Sequence, residues 1–186
     1  MTTLSIFDAH NPEAAPTVTD NSEEIGQLLR GKGIRFERWP TQDLPAEAAP
    51  EQILAAYSRE IAKLKAESGF QTADVVSLNP DNPQKEAFRT KFLDEHTHSE
   101  DEVRFFVRGR GIFYLHLGDQ VFAVQCQKND LISVPEGTRH WFDMGPEPEF
   151  TCIRLFTNPE GWVADYTGED IAGRLPPFEE LEGAAL

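Results

Sequence analysis

The stretch from position 96 to 102 reads HTHSEDE and carries three side chains able to bind a metal ion, His96, His98 and Glu102. All three positions are even, as is that of Arg104 just beyond them. In an extended chain successive side chains alternate between faces, so the imidazoles, the carboxylate and the guanidinium share one side. A fourth donor, His140, comes 38 residues after Glu102 in PEGTRHWF. Three imidazole nitrogens and one carboxylate oxygen suit a divalent transition metal such as iron, nickel, manganese or copper. A lone His-x-His pair in an acidic chain is usually only surface. Here strand-forming residues follow (VRFFVR), then Gly109 at the seventh position after Glu102, then a Pro135, Gly137, His140 turn, and this context favours the metal reading.

Two arginines are candidates for stabilising substrate charge. Arg104 shares the parity of the ligands, and Arg154 stands mid-strand in an apolar run, FTCIRLFT, where a charge needs a reason. The bland alternative for each is a surface ion pair. Several phenylalanines flank the ligand stretch (Phe92, Phe105, Phe106, Phe113), so a site walled by apolar rings is expected. Glu95, Glu100 and Asp101 read as a solvated turn beside the ligands, with an acid–base or supporting role the minority reading. His116 reads as structural and His10 as solvated.

The elements that must position these groups follow from hydrophobic patterning. The 186 residues suit one domain, and 39% hydrophobic content is enough for a core. TLSIFD at 3–8 reads as a strand. Residues 20–33 read as a helix capped by Asp20 or Asn21 and stopped at Gly31 or Gly33, and IRFERW as a half-buried strand. One helix is expected over 50–66, with Ile53, Leu54, Tyr57, Ile61 and Leu64 as its apolar stripe. A strand at 73–79 and a short helix in NPQKEAFRTKFL come next. From residue 96 the pattern changes to short strands and turns. VRFFVRGRG is expected to end at a Gly-rich turn, with a separate hairpin bending at Gly118 and Asp119. Many short strands at this spacing predict a mainly β sandwich or small barrel with the helices outside. The tail at 174–186 is Pro-containing and acidic and reads as an arm or disordered end.

The net charge of −15 argues against nucleic acid and against an anionic membrane surface. It leaves room for an anionic substrate, because Arg104 and a dication make a local positive pocket. Cys126 and Cys152 each lie in an apolar run, which predicts two buried reduced thiols. No targeting signal or membrane span is read, and a cytoplasmic monomer is expected.

His96, His98, Glu102 and Gly109, followed by Pro135, Gly137 and His140, resemble the two motifs of the cupin superfamily. That resemblance implies a double-stranded, jelly-roll-like β-barrel with a metal in its mouth, here with residues 1–91 completing the barrel around a 92–168 core. Glycines of the family pattern fall at Thr90 and Asn129, and its trailing asparagine at Met144, none of them a ligand. FLDEHTHSEDEVRFFVRGRGIFYLH, VPEGTRHWFDMG and RLFTNPEGWVADYTG look more closely like the acireductone dioxygenases of methionine salvage. This implies an Fe(2+) or Ni(2+) ion, one per chain, on His96, His98, Glu102 and His140. It implies O2 cleavage of 1,2-dihydroxy-3-keto-5-methylthiopentene. The expected products are 4-methylthio-2-oxobutanoate and formate with iron, or 3-methylthiopropionate, formate and carbon monoxide with nickel. It also implies that Phe92, Phe142 and Trp162 line the pocket around the methylthio tail. The same ligands would serve a quercetin-type dioxygenase or an oxalate decarboxylase, and a ligand-binding cupin without turnover is the alternative from another class.

Overall fold

The computed structural model describes residues 1–158 and 163–184. Among the described residues there are eleven strands: β1 (Thr3–Asp8), β2 (Thr17–Thr19), β3 (Arg35–Arg38), β4 (Thr72–Leu78), β5 (His96–Thr97), β6 (Glu102–Leu117), β7 (Gln120–Gln127), β8 (Asp130–Val134), β9 (Arg139–Asp143), β10 (Phe150–Phe156) and β11 (Asp165–Tyr166). All pairings are antiparallel, and they form two sheets that share β6. The first half of β6 lies between β8 and β10, which extend to β3 and β4. Its second half lies between β7 and β9, in the order β11-β5-β9-β6-β7-β1-β2. Among the described residues the pairing branches at β6 and does not close into a ring.

The expected turn after VRFFVRGRG is therefore a correction, because β6 runs unbroken from Glu102 to Leu117. Its glycines bend the strand instead of ending it. Gly109 has φ +71°, and a Cβ there would collide with the carbonyl of Glu149. Val107 is the extra residue where the β10 register shifts between Thr151 and Cys152. A bulge of this kind sharpens the local bend. Val103, Phe105 and Val107 face one way, and Phe113 and Leu115 face the other, so the inward parity is even before the bend and odd after it.

Three apolar layers result. Between the sheets lie Leu4, Phe106, Phe113, Phe122, Ile132, Phe142 and Cys152 with others. Over the outer face of the first sheet pack α2 (Pro50–Ala56) and α3 (Ser58–Ser68), through Ile53, Tyr57, Ile61 and Leu64 against Val103, Phe105 and Ile153. These replace the single helix expected over 50–66. The stripe is right, but the chain turns at Tyr57, whose buried ring meets Phe105 at 4.8 Å. Phe105 therefore packs under the helices and does not wall the site. Helix α1 (Ser22–Gly31) is capped by the Asn21 side chain, which accepts from the amides of Glu23 and Glu24. Helix α4 (Lys85–Leu93) leads directly into the ligand stretch.

The tail packs on the second sheet. Residues Ile171–Arg174 form a 3₁₀ turn and α5 (Phe178–Ala184) follows. Ile171, Leu175, Phe178 and Leu181 are buried against Tyr114, Val121 and Trp141 on the outer face of the second sheet. Asn129, standing where the cupin pattern has glycine, takes φ +78°. Asparagine is among the few side chains that tolerate this left-handed conformation.

Candidate metal centre

The four predicted ligands converge. His96, His98, Glu102 and His140 are all buried, and one donor atom from each lies within 4.8 Å of the others. They come from separate places: His96 on β5, His98 just past its end, Glu102 opening β6 and His140 on β9. His96 and His140 are register partners across β5 and β9. Residues 98–101 lie outside the strands, so the shared face of the even positions is achieved by a turn and not by one extended segment.

Each imidazole is oriented by a backbone carbonyl. The Nδ1 atoms of His96, His98 and His140 donate to the carbonyls of Asp94 at 2.7 Å, Val163 at 2.8 Å and Thr138 at 2.7 Å. A carbonyl oxygen only accepts, so each Nδ1 carries a proton and Nε2 is the ring atom turned to the cluster. The Nε2 atoms of His98 and His140 both stand 3.0 Å from one oxygen of Glu102. Lone pairs facing a carboxylate oxygen repel unless a positive centre lies among them, either a proton or a cation. Donors held about 2.1 Å from one octahedral ion stand about 3 Å apart at adjacent corners, so the donor set and its spacing fit a divalent metal.

The electrostatics agree. Burial lowers the pKa of His96 to about 4, so this ring stays neutral. For His98 burial acts the same way, but the Glu102 carboxylate outweighs it and holds the ring above its ordinary value. Burial opposes ionisation of Glu102, yet Arg104 and the two histidines hold it well below the usual carboxylate range. Its second oxygen accepts from Arg104 Nε at 2.8 Å.

The cluster forms the floor of a cavity of about 590 Å³, ample for a small organic ligand. Arg104, Phe92 and Phe142 line it, with the guanidinium 5.6 Å and 4.9 Å from the two ring centres. Arg154 lines it too, but it is held by Asp74 on β4 through bonds of 2.8 and 2.6 Å. Trp162, the third expected pocket residue, lies outside the described residues.

The model of the ARD/ARD' family matches residues 3–164. The chain belongs to that family. Its curated relatives include the acireductone dioxygenase of Marinobacter nauticus, 69% identical over 185 residues with 100% of both chains covered. That of Hahella chejuensis is 63% identical and covers 97% of this chain and 98% of its own. Among solved structures, an acireductone dioxygenase from Bacillus anthracis with a cadmium ion in its active centre superposes with a TM-score of 0.77 at 34% identity. It covers 89% of this chain and 98% of that one. The fold is accordingly a cupin, with its barrel left open along the hydrogen-bonded edges.

In this family member several site residues escaped the sequence reading. Phe156, Val163 and Tyr166 line the cavity from within the RLFTNPEGWVADYTG block, and Asp74 and Lys91 line it without any motif to mark them. Glu95 is not a solvated turn residue. It is 1% exposed, accepts from His116 Nδ1 at 2.6 Å and from Thr167 Oγ1 at 2.8 Å, and so ties β5 to β6 beside His96. Its only sequence signal is adjacency to a ligand. Glu100 accepts from the Thr157 hydroxyl and the Asn158 amide, and Asp101 from the Glu136 amide. His116 is bonded to Glu95 and is not among the cavity-lining residues. Phe106 lies in the inter-sheet core, and Phe113 backs Arg104 at 5.6 Å. Cys126 and Cys152 are buried and unbridged, and burial pushes the Cys152 thiol up to about 12. No helix among the described residues is long and apolar enough to cross a membrane.

Proposed function

We propose that this chain is a metal-dependent acireductone dioxygenase, acting on 1,2-dihydroxy-3-keto-5-methylthiopentene with O2. The observation that carries the reading is the buried cluster of three histidines and one glutamate on the floor of a cavity whose walls hold two arginines and three phenylalanines. The 69% identity to a protein named for this activity supports it.

His96, His98, Glu102 and His140 are the ligands in this reading. A bound Fe(2+) or Ni(2+) supplies Lewis acidity that favours the ionised enediol. Arg104 compensates the carboxylate of Glu102 and presents positive charge to an anionic substrate. Arg154, held by Asp74, adds a second guanidinium across the cavity. Phe92 and Phe142, with Trp162, receive the methylthio end and exclude water from the reacting carbons. The three backbone carbonyls on Nδ1 keep the rings from rotating and keep their lone pairs available. With iron the products are 4-methylthio-2-oxobutanoate and formate, and with nickel 3-methylthiopropionate, formate and carbon monoxide.

Reconstitution without air with iron(II) or nickel(II), then addition of acireductone and O2, tests this. Formate is expected from both forms and carbon monoxide only from nickel. Absence of formate from both would overturn the assignment, and turnover of a flavonol or of oxalate instead would favour another metal cupin. We also read the protein as a cytoplasmic monomer, to be checked by fractionation and sedimentation. The two unbridged cysteines support the compartment.

A further inference from the structure

The exposure of the cavity lining is graded. Glu102, Arg104 and the three histidines are buried, whereas Lys91, Val163 and Tyr166 are exposed, so these last three mark the mouth. Charged groups in the lining are Lys91, Arg104 and Arg154 against Asp74 and Glu102. Both arginines already have carboxylate partners, Arg104 with Glu102 and Arg154 with Asp74. Lys91 has none among the described residues. Its ammonium rests 5.7 Å over the ring of Phe92, and its backbone carbonyl accepts from the Tyr166 hydroxyl at 2.9 Å. The segment is thus tied to the mouth while the charge stays exposed to solvent. The whole chain carries a net charge of −15, which repels an approaching anion.

We propose that Lys91 is the entry cation of the cavity, the group that captures an anionic chelating substrate at the mouth before it reaches the buried cluster. This rests on the reading of the cavity as the site of such a substrate. Lys91 sits in the last turn of α4, where a cation also favours the helix dipole, so the test must separate capture from helix stability. A screened charge near a cavity mouth acts on the association rate and leaves the dissociation rate of a seated ligand almost unchanged.

The experiment uses the nickel-loaded full chain and oxalate, a chelating dianion that needs no turnover. Association and dissociation are followed by stopped-flow at about 20 mM and about 0.5 M ionic strength, which bracket strong and weak screening. Lys91→Met keeps the aliphatic stem on Phe92 and removes the charge, and Lys91→Arg keeps the charge. Lys91→Met is expected to slow association about three- to ten-fold at low salt and not at high salt, with unchanged dissociation. Lys91→Arg is expected to bind like the native protein. Equal association rates for Lys91→Met and the native chain at low salt would overturn the inference, as would a defect that persists at high salt. Because oxalate replaces acireductone, failure of the dioxygenase assignment would appear in product analysis and not here.

Discussion

Arg104 and Arg154 stand directly opposite each other on β6 and β10, yet their guanidinium groups are held by different carboxylates. Arg104 is tied to Glu102 with both side chains 4% exposed, whereas Arg154 and Asp74 are 28% and 47% exposed. Burial decides what each is worth. Removing one partner of a buried pair costs about 3–5 kcal/mol, whereas a solvent-screened pair contributes about 0–1 kcal/mol.

Arg104→Met is therefore expected to destabilise the metal-free protein by about 3 kcal/mol. Arg154→Met is expected to cost no more than about 1 kcal/mol in stability while lowering kcat/KM at least about tenfold through lost substrate contact. Denaturant melts and steady-state kinetics of both variants check this. Equal stability losses would mean that the burial contrast does not govern the two pairs.

Alanine at His96, His98, Glu102 or His140 is expected to weaken metal binding by at least about a hundredfold. The native chain should gain thermal stability when metal is added, by mass action on the folded state, and each variant should lose most of that gain. A melting temperature that rises equally with metal in all of them would place the ion elsewhere.

Metal binding should strengthen with pH. His98 is held above its ordinary value in the metal-free fold, so its proton stabilises that fold below about pH 6.5 and this contribution is lost as pH rises through the folded value. A metal must displace that proton. His96 titrates near 4 and is already neutral, so it gives up none at neutral pH. Its own contribution is present above about pH 6.5 and drains away as pH falls towards the folded value. The metal-induced rise in melting temperature should thus grow from about pH 5 to about pH 8, with proton release seen by calorimetry in two buffers. A flat profile would count against the ligand set.

Asp143 links three elements at one buried carboxylate. It binds Arg89 of α4 at 2.8 and 3.0 Å, and it accepts from the amides of Gly145 at 2.9 Å and Phe178 at 3.0 Å. Helix α4 carries Phe92 and β9 carries Phe142 and His140, so the C-terminal segment braces the cavity wall from outside. Asp143→Ala should cost about 3 kcal/mol or more. Deleting residues 175–186 should raise KM as well as lower stability. An unchanged KM in a folded truncated chain would reduce the segment to packing alone.

Gly109→Ala is expected to destabilise by at least about 2 kcal/mol, because the left-handed backbone and the Glu149 carbonyl both exclude a Cβ. Asn129→Gly should be neutral or mildly stabilising at its own left-handed position. Urea melts measure both.

The donor types and spacing in HTHSEDE and PEGTRH identified the candidate ligands, and even parity correctly put Glu102 and Arg104 on one face. Apolar periodicity gave the stripe Ile53, Tyr57, Ile61 and Leu64, and the motif context gave the cupin. These are local properties, written in residue type and period. The partner choices were not legible, because they join positions far apart in the chain through strand register and sheet bending. Register pairs Arg154 with Asp74, 80 residues away, and brings the Glu95 carboxylate to His116. Bending at Gly109 turned an expected loop into one continuous strand shared by two sheets. Burial of Phe178 and Leu181 fixed a tail whose acidic, proline-containing composition alone read as an arm or a disordered end. The sequence by itself named the groups able to hold a metal; only the tertiary structure decided which carbonyl aims each imidazole and which carboxylate restrains each arginine, since those depend on distances that no spacing along the chain encodes.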